Sequence, residues 1–410
     1  KARQNIKDKI VFKDFVKLDE SDLNDSGDKY FEIKDSMKLL DTISEFDNGE
    51  MEVDDVIIRR EFINSEEGDH IKLQHTEIFH RDNKPKATII IFHGLGQGSD
   101  MFVETGIQYA MNGYKVESID FRGYGSSGGI RGDATLVDLQ KDVVLLLKEV
   151  DPDLPLFVFA HSMGCMILTS FLMNNPGLNI SGVILQAPLT SAPKNVRLDS
   201  FRIFMAGVLA KQIPELFMSP RINPSAITRQ VHILKWYLSS KKVVPIIGSK
   251  QGAMILRYLY HYKYNAKSLK YPLLVHLGGD DKIVNNEGTK KIFESFGTED
   301  KQMFEYEGCF HELQYEDCQK EMMKNTLNWL NLKFKNGETS KVGAIDFDKI
   351  KIAFLKKKAP FKHWKELITF IVAMYYLVGY LLMVSKFINK NKHEMIAFWP
   401  CSIYKKFFGK

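Results

Sequence analysis

Ser162 stands in the stretch VFAHSMGCM, residues 158–166, between an apolar run and a run of helix-forming residues, with Ala160 and Gly164 as its second neighbours. A serine on a sharp strand-to-helix turn needs small residues at those two places. They let strand and helix approach while the hydroxyl is held out as a nucleophile. The pentapeptide by itself also fits a serine that merely caps a helix. Two later segments favour chemistry. GGDDKIV puts Asp281 just after a strand-like run, and EGCFHEL puts His311 after the next one, in the order Ser, Asp, His. In such a set the imidazole takes the hydroxyl proton, the carboxylate orients the imidazole, and the alkoxide attacks an acyl carbon. A fourth segment, FHGLGQGS, supplies a glycine turn whose Leu95 N–H, with the N–H of Met163, would face the developing oxyanion. Fixed donors of that kind are worth roughly 3–4 kcal/mol each.

These residues lie far apart in the chain, so a sheet must bring them together. VIIRREFI, IKLQHTEIF and ATIIIFHG read as successive strands from Asp54 onward, the last a continuous apolar run suited to a buried position. Helix-like and strand-like segments then alternate: FVETGIQYAMNG, YKVESIDF, ATLVDLQKDVVLLLKEV, LFVFAHS, a helix from Met163, and ISGVILQAP. Alternation resumes at PLLVHLGG, followed by a helix near 286–296, a strand at QMFEYE and a helix from Glu312 to Phe334. This pattern predicts an α/β fold, a mostly parallel sheet with helices on both faces, whose strand ends converge at one edge. Residues 191–270 interrupt it with apolar helical runs and no clear strand, as a lid would. Within that lid Phe204, Met205, Leu209, Leu216 and Phe217 are the residues expected to receive an apolar substrate.

The set HGLGQGS, DFRGYGSSGGIRG, AHSMGC, GGDDKIV and GCFHEL resembles the monoacylglycerol lipase and lysophospholipase branch of the α/β-hydrolases, over roughly residues 54–334. The resemblance implies Ser162 as nucleophile, Asp281 as acid and His311 as base. Asp281 is preferred to Asp280 because Gly278, Ile283 and Val284 set the register of the family's Gly-x-x-Asp-x-Ile-Val. The loop from Asp120 corresponds to the family's structural loop beside the site. Two departures stand out: Ala160 replaces the first glycine of the elbow, and Cys165 replaces the glycine after it, adding bulk near the pocket.

Composition narrows the partners. Residues 341–410 hold 14 lysines against four acidic residues, whereas residues 1–340 hold 42 basic and 47 acidic ones. A basic tail on an acidic body can attract anionic lipid, nucleic acid or an acidic partner, which only its apolar content can separate, and no zinc-finger, helix-turn-helix or single-strand-binding pattern supports nucleic acid. Leu367 to Ser385 is free of charge for 19 positions. As a helix it would measure about 28 Å, close to the hydrocarbon thickness of a bilayer. Lysines on both sides leave its orientation open, endomembrane and mitochondrial membranes both fit, and the competing reading is an apolar helix packed on the lid or on a partner. Four scattered cysteines form neither a metal pattern nor a disulfide framework. His70, His75 and His80 are five apart and alternate faces of a strand, so no metal site is expected there.

The expected organisation is a charged N-terminal extension (1–53), an α/β-hydrolase domain (54–334) with its lid at 191–270, and a basic tail (335–410) carrying a transmembrane helix at 367–385. The expected activity is hydrolysis of a lipid ester, a monoacylglycerol or lysophospholipid, through an acyl-enzyme, with no metal or organic cofactor. Two rival readings are an accessory subunit of a membrane complex that keeps the fold without turnover, and an acyltransferase on the same scaffold.

Overall fold

The computed structural model describes residues 9–18, 29–65, 70–192, 198–220, 222–353 and Tyr375. In chain order its strands are β1 (Lys9–Phe12), β2 (Val16–Leu18), β3 (Phe31–Ile33), β4 (Gly49–Val53), β5 (Val56–Asn64), β6 (Lys72–His80), β7 (Ala87–Phe92), β8 (Tyr114–Ile119), β9 (Leu156–His161), β10 (Gly182–Gln186), β11 (Phe217–Met218), β12 (Ile247–Gly248), β13 (Leu273–Gly278) and β14 (Lys301–Tyr306). Its helices are α1 (Ser36–Glu45), α2 (Val103–Met111), α3 (Leu136–Leu147), α4 (Met163–Asn174), α5 (Ser200–Gln212), α6 (Val231–Ser239), α7 (Ser249–Tyr262), α8 (Asn286–Ser295) and α9 (Gln319–Lys335).

Ten strands form one sheet in the order β1-β4-β5-β6-β8-β7-β9-β10-β13-β14. From β8 to β14 all neighbours run parallel, while β4, β5, β6 and β8 pair antiparallel. β7 and β9 are buried along their whole length, as strands covered by helices on both faces must be. One apolar layer joins Leu139, Val143, Met166, Phe171 and Tyr258 from α3, α4 and α7. The opposite layer joins Leu39, Ile107, Leu327 and Trp329 from α1, α2 and α9. The α/β arrangement expected from the alternation is therefore the one observed.

Three features differ from those drawn on composition. The sheet does not begin at Asp54: β1 pairs parallel with β4, and β4 pairs with β5, so residues of the supposed extension supply two of its strands. Local charge hid this, because β4 (GEMEV) mixes charged with apolar positions while still burying Met51 and Val53. Helix α1 packs against lid helix α6. Arg60 donates to the carbonyls of Ile43 and Phe46 at the end of α1, and Lys242 of the lid donates to Asp47 at 2.8 Å.

The lid, expected without strands, contains a two-residue antiparallel ribbon of β11 and β12 beside its three helices. The body also continues past Phe334. Val342 N donates to Leu154 O at 3.0 Å, and Asn175 clasps Lys351 by both its N–H and its carbonyl. Val342 is buried, and Ile345, Phe347 and Ile350 pack on the core. Residues 367–385 lie outside the described residues apart from Tyr375; among the described residues no helix is long and apolar enough to cross a membrane.

Candidate active site

The turn from β9 into α4 carries Ser162 at φ 50°, ψ −114°. That backbone conformation is strained for a residue with a side chain and persists because its surroundings impose it. Ser162 N donates to Gln186 O at 3.0 Å, while the serine side chain caps no helix N–H, which removes the capping explanation. Gly164 explains the small-residue rule. A Cβ there would lie 2.7 Å from Phe92 O and 2.6 Å from His93 O, so only glycine lets α4 approach β7. Cys165 sits beneath the turn, its thiol 3.0 Å from Ala160 O, and does not line the cavity above; the bulk expected near the pocket is in the core instead.

His311 follows β14 and Asp281 follows β13, adjacent parallel strands whose ends bring them together. Their contact is His311 Nδ1 to Asp281 Oδ2 at 2.7 Å. The other oxygen of Asp281 accepts the N–H groups of Ile283 at 2.7 Å and Val284 at 3.1 Å. Asp280 is exposed. Burial pulls the His311 pKa down, but the charge and hydrogen bond of Asp281 overcome it and leave the imidazole above its ordinary 6.5. Ser162 and His311 line one cavity, with no hydrogen bond joining them. Such bonds are often long before substrate binds.

Leu95 lines the same cavity, on the turn that follows β7. His93 holds this turn: Phe121 N donates to its Nε2 at 2.9 Å, so its Nδ1 carries the proton that bonds Gly94 O at 2.8 Å. Met163 opens α4, where the first N–H groups have no partner within the helix. Asp120 anchors the neighbouring glycine loop through Ser99 N at 2.6 Å and Ser126 N at 2.8 Å.

The cavity measures about 650 Å³ and its wall is mainly apolar. None of the five lid residues expected there lines it. Phe204 and Phe217 are exposed, and Met205, Leu209 and Leu216 are half-buried elsewhere in the lid. Helix α5 is turned so that its apolar residues meet α7 and the surface, and the wall comes from Met218, Ile222, Tyr237, Ile247, Ile255 and Leu256. Helix α5 (SFRIFMAGVLAKQ) spreads its apolar residues round its circumference and so does not reveal which side faces inward, and no local pattern distinguished the two sets.

Sequence reasoning also passed over Glu312 and Gln97. Glu312, 1% exposed, lines the cavity beside His311; it accepts Gln97 Nε2 and, at 2.6 Å, Gln314 Nε2. Burial pushes its carboxyl up to about 7, against the pull of His311, Gln314 and Gln97. His161, read as a packing or hydrogen-bonding residue, bonds Gln97 Oε1 through Nδ1 at 3.1 Å, and its ring centre lies 4.7 Å from that of His311 with the planes tilted by 59°. Burial, and then the nearby His311, hold its pKa well below 6.5.

The model of the family "Serine aminopeptidase, S33" matches residues 83–318. An abhydrolase domain-containing protein of Dictyostelium discoideum is 26% identical over 257 residues, which are 62% of this chain and 27% of that protein, so the chain spans about a quarter of that relative's length. The monoglyceride lipase of Homo sapiens is 29% identical over 241 residues, covering 57% of this chain and 77% of that enzyme. The crystal structure of Paleococcus ferrophilus monoacylglycerol lipase superposes with a TM-score of 0.58 at 25% identity, covering 64% of this chain and 99% of that one. A strained serine between β9 and α4, an Asp–His pair at the next strand ends and a lid over an apolar cavity occur together in a chain of this likeness. The chain belongs to the serine aminopeptidase S33 family of α/β-hydrolases, in its monoacylglycerol lipase-like branch.

Proposed function

We propose that the protein hydrolyses a lipid monoester, a monoacylglycerol or a lysophospholipid, by a serine mechanism. The observation that carries this reading is the convergence of Ser162, the His311–Asp281 pair and Leu95 on one mainly apolar cavity of about 650 Å³. His311 Nε2 takes the Ser162 proton as Oγ attacks the ester carbonyl, and Asp281 holds the imidazole in the tautomer that can accept it. The N–H groups of Leu95 and Met163 receive the oxyanion. The protonated imidazole passes its proton to the leaving alcohol, and water, activated by the same imidazole, releases the acyl chain from Ser162. The apolar wall favours an aliphatic chain, and Gln97 and Glu312 give the headgroup end a polar floor.

A serine-reactive fluorophosphonate is expected to label the wild-type chain and to leave Ser162→Ala unlabelled. Ser162→Ala and His311→Ala should each lower ester hydrolysis at least about a thousandfold, because the three groups act as one unit. A folded wild-type chain that neither takes the label nor cleaves acyl esters would instead be an accessory subunit. For the tail we propose a membrane anchor at 367–385, tested by resistance of the full chain to alkaline carbonate extraction; release by carbonate would exclude a spanning helix.

A further inference from the structure

Three buried side chains at the cavity floor present metal-binding atoms to the same space. His161 ends β9, and His311 and Glu312 follow β14; their donor atoms all lie within 4.8 Å of one another, and all three residues line the cavity. They are 0%, 4% and 1% exposed. Their hydrogen bonds decide which atoms are available. Gly94 N–H can only donate, and it donates to Gln97 Oε1 at 2.9 Å. The same oxygen faces His161 Nδ1 at 3.1 Å, so Nδ1 carries the ring proton and Nε2 keeps its lone pair. That Nε2 lies 3.8 Å from Glu312 Oε1, which already accepts Gln97 Nε2 and has one further lone pair to give; the other neighbour of Nε2, at 3.3 Å, is the His311 carbonyl, which has no proton to give. In His311 the proton on Nδ1 goes to Asp281, so its Nε2 also keeps a lone pair.

We propose that His161 Nε2, His311 Nε2 and Glu312 Oε1 form a binding site for zinc or a similar divalent transition cation. Two imidazole nitrogens and one carboxylate oxygen suit zinc, whereas magnesium and calcium favour oxygen alone. Bonds of about 2.0–2.2 Å place tetrahedral ligands about 3.3–3.5 Å apart, less than the 3.8 Å between His161 Nε2 and Glu312 Oε1 and the 4.8 Å that bounds the donor atoms of the three residues, so the ligands draw in to hold the ion. Each ligand already has the outer partner that orients metal ligands: Gln97 on His161, Asp281 on His311, and Gln314 on Glu312. The fourth position opens to the cavity, for water or the Ser162 hydroxyl.

The ion uses the His311 lone pair that accepts the serine proton, so a bound cation switches hydrolysis off. This consequence rests on the proposed ester hydrolysis; the binding does not. Zinc chloride titrated into the full-length chain, followed by calorimetry and chelator competition without ester, is expected to show one micromolar site per chain. Ser162→Ala should retain it, His161→Gln and Glu312→Gln should each weaken it at least about tenfold, and magnesium should not replace it. Cobalt(II) added to wild type should give the visible spectrum of a four-coordinate nitrogen and oxygen site, a readout that needs no folded variant. Zinc should also stop p-nitrophenyl butyrate hydrolysis, and EDTA should restore it. Absence of zinc binding below about 100 μM, affinity equal to wild type in both variants, or a six-coordinate cobalt spectrum would overturn the site. Zinc binding as described in a chain that cleaves no ester would keep the site and refute the hydrolase reading. Hydrolysis that zinc leaves untouched would keep the hydrolase reading and refute the switch.

Discussion

Replacing Asp281 by asparagine is a one-atom change whose outcome the hydrogen bonds around it dictate. Oδ1 accepts two backbone N–H groups, from Ile283 and Val284, that cannot reverse their role. The carboxamide oxygen of an asparagine must therefore take that place, which puts its NH₂ where Oδ2 now meets His311 Nδ1 at 2.7 Å. An NH₂ there can only donate, so Nδ1 must accept and the ring proton moves to Nε2. His311 then has no lone pair facing Ser162. A buried wrong tautomer of this kind costs about 10⁴ in rate, about 5.5 kcal/mol of transition-state stabilisation. The full chain carrying Asp281→Asn should thus lose about ten-thousandfold in kcat/KM for p-nitrophenyl butyrate, with a circular dichroism spectrum like wild type. Asp280→Asn, on an exposed side chain, should change little. A loss below about tenfold in the first variant, or an equal loss in the second, would refute the reasoning.

Ile255→Gln or Leu256→Gln, on the cavity wall, should raise KM for a dodecanoyl ester about tenfold more than for a butyryl ester, because these half-buried side chains sit at the low end, about 1.5 kcal/mol, of what an apolar side chain contributes on burial. Phe204→Gln and Met205→Gln, away from the wall, should affect both esters alike. Because His311 must be neutral to accept a proton and Asp281 raises its pKa above 6.5, kcat/KM should rise with pH through a midpoint above 6.5. An acid limb centred below about 6 in the pH–rate profile would contradict that geometry. Truncation after Ala353 should leave a stable domain, whereas truncation after Lys335 removes Val342 and the Lys351 clasp and should lower Tm by several degrees in calorimetry. Equal Tm values for the two truncations would show that residues 336–353 contribute nothing to the body.

The residues of the site were legible because each has a rigid local requirement. Gly164 must be small where α4 crosses the carbonyls of Phe92 and His93, and Ser162 must sit between an apolar strand and a helix. The order of Asp281 and His311 after successive strands follows from the parallel sheet. The cavity wall was not legible, since α5 spreads its apolar residues round its circumference and only its packing on α7 decides which lid residues face Ser162. Glu312 was overlooked for a similar reason: a glutamate after a histidine looks like surface, and nothing local shows that the amides of Gln97 and Gln314 will enclose it.

By itself the sequence determined the alternation of strands and helices, the sharp strand-to-helix turn at Ser162 and the places of Asp281 and His311 after later strands. Those properties depend on hydrophobic period and on small residues within a few positions, so they can be read where they stand. Tertiary structure alone decided that residues 9–12 and 49–53 complete the sheet, that residues 338–353 belong to the body, and that His161, His311 and Glu312 meet at one floor. Each of these depends on partners a hundred or more residues away or on strand neighbours paired across the sheet. Such contacts are set by how burial and hydrogen bonding are satisfied over the whole chain, which no local pattern records.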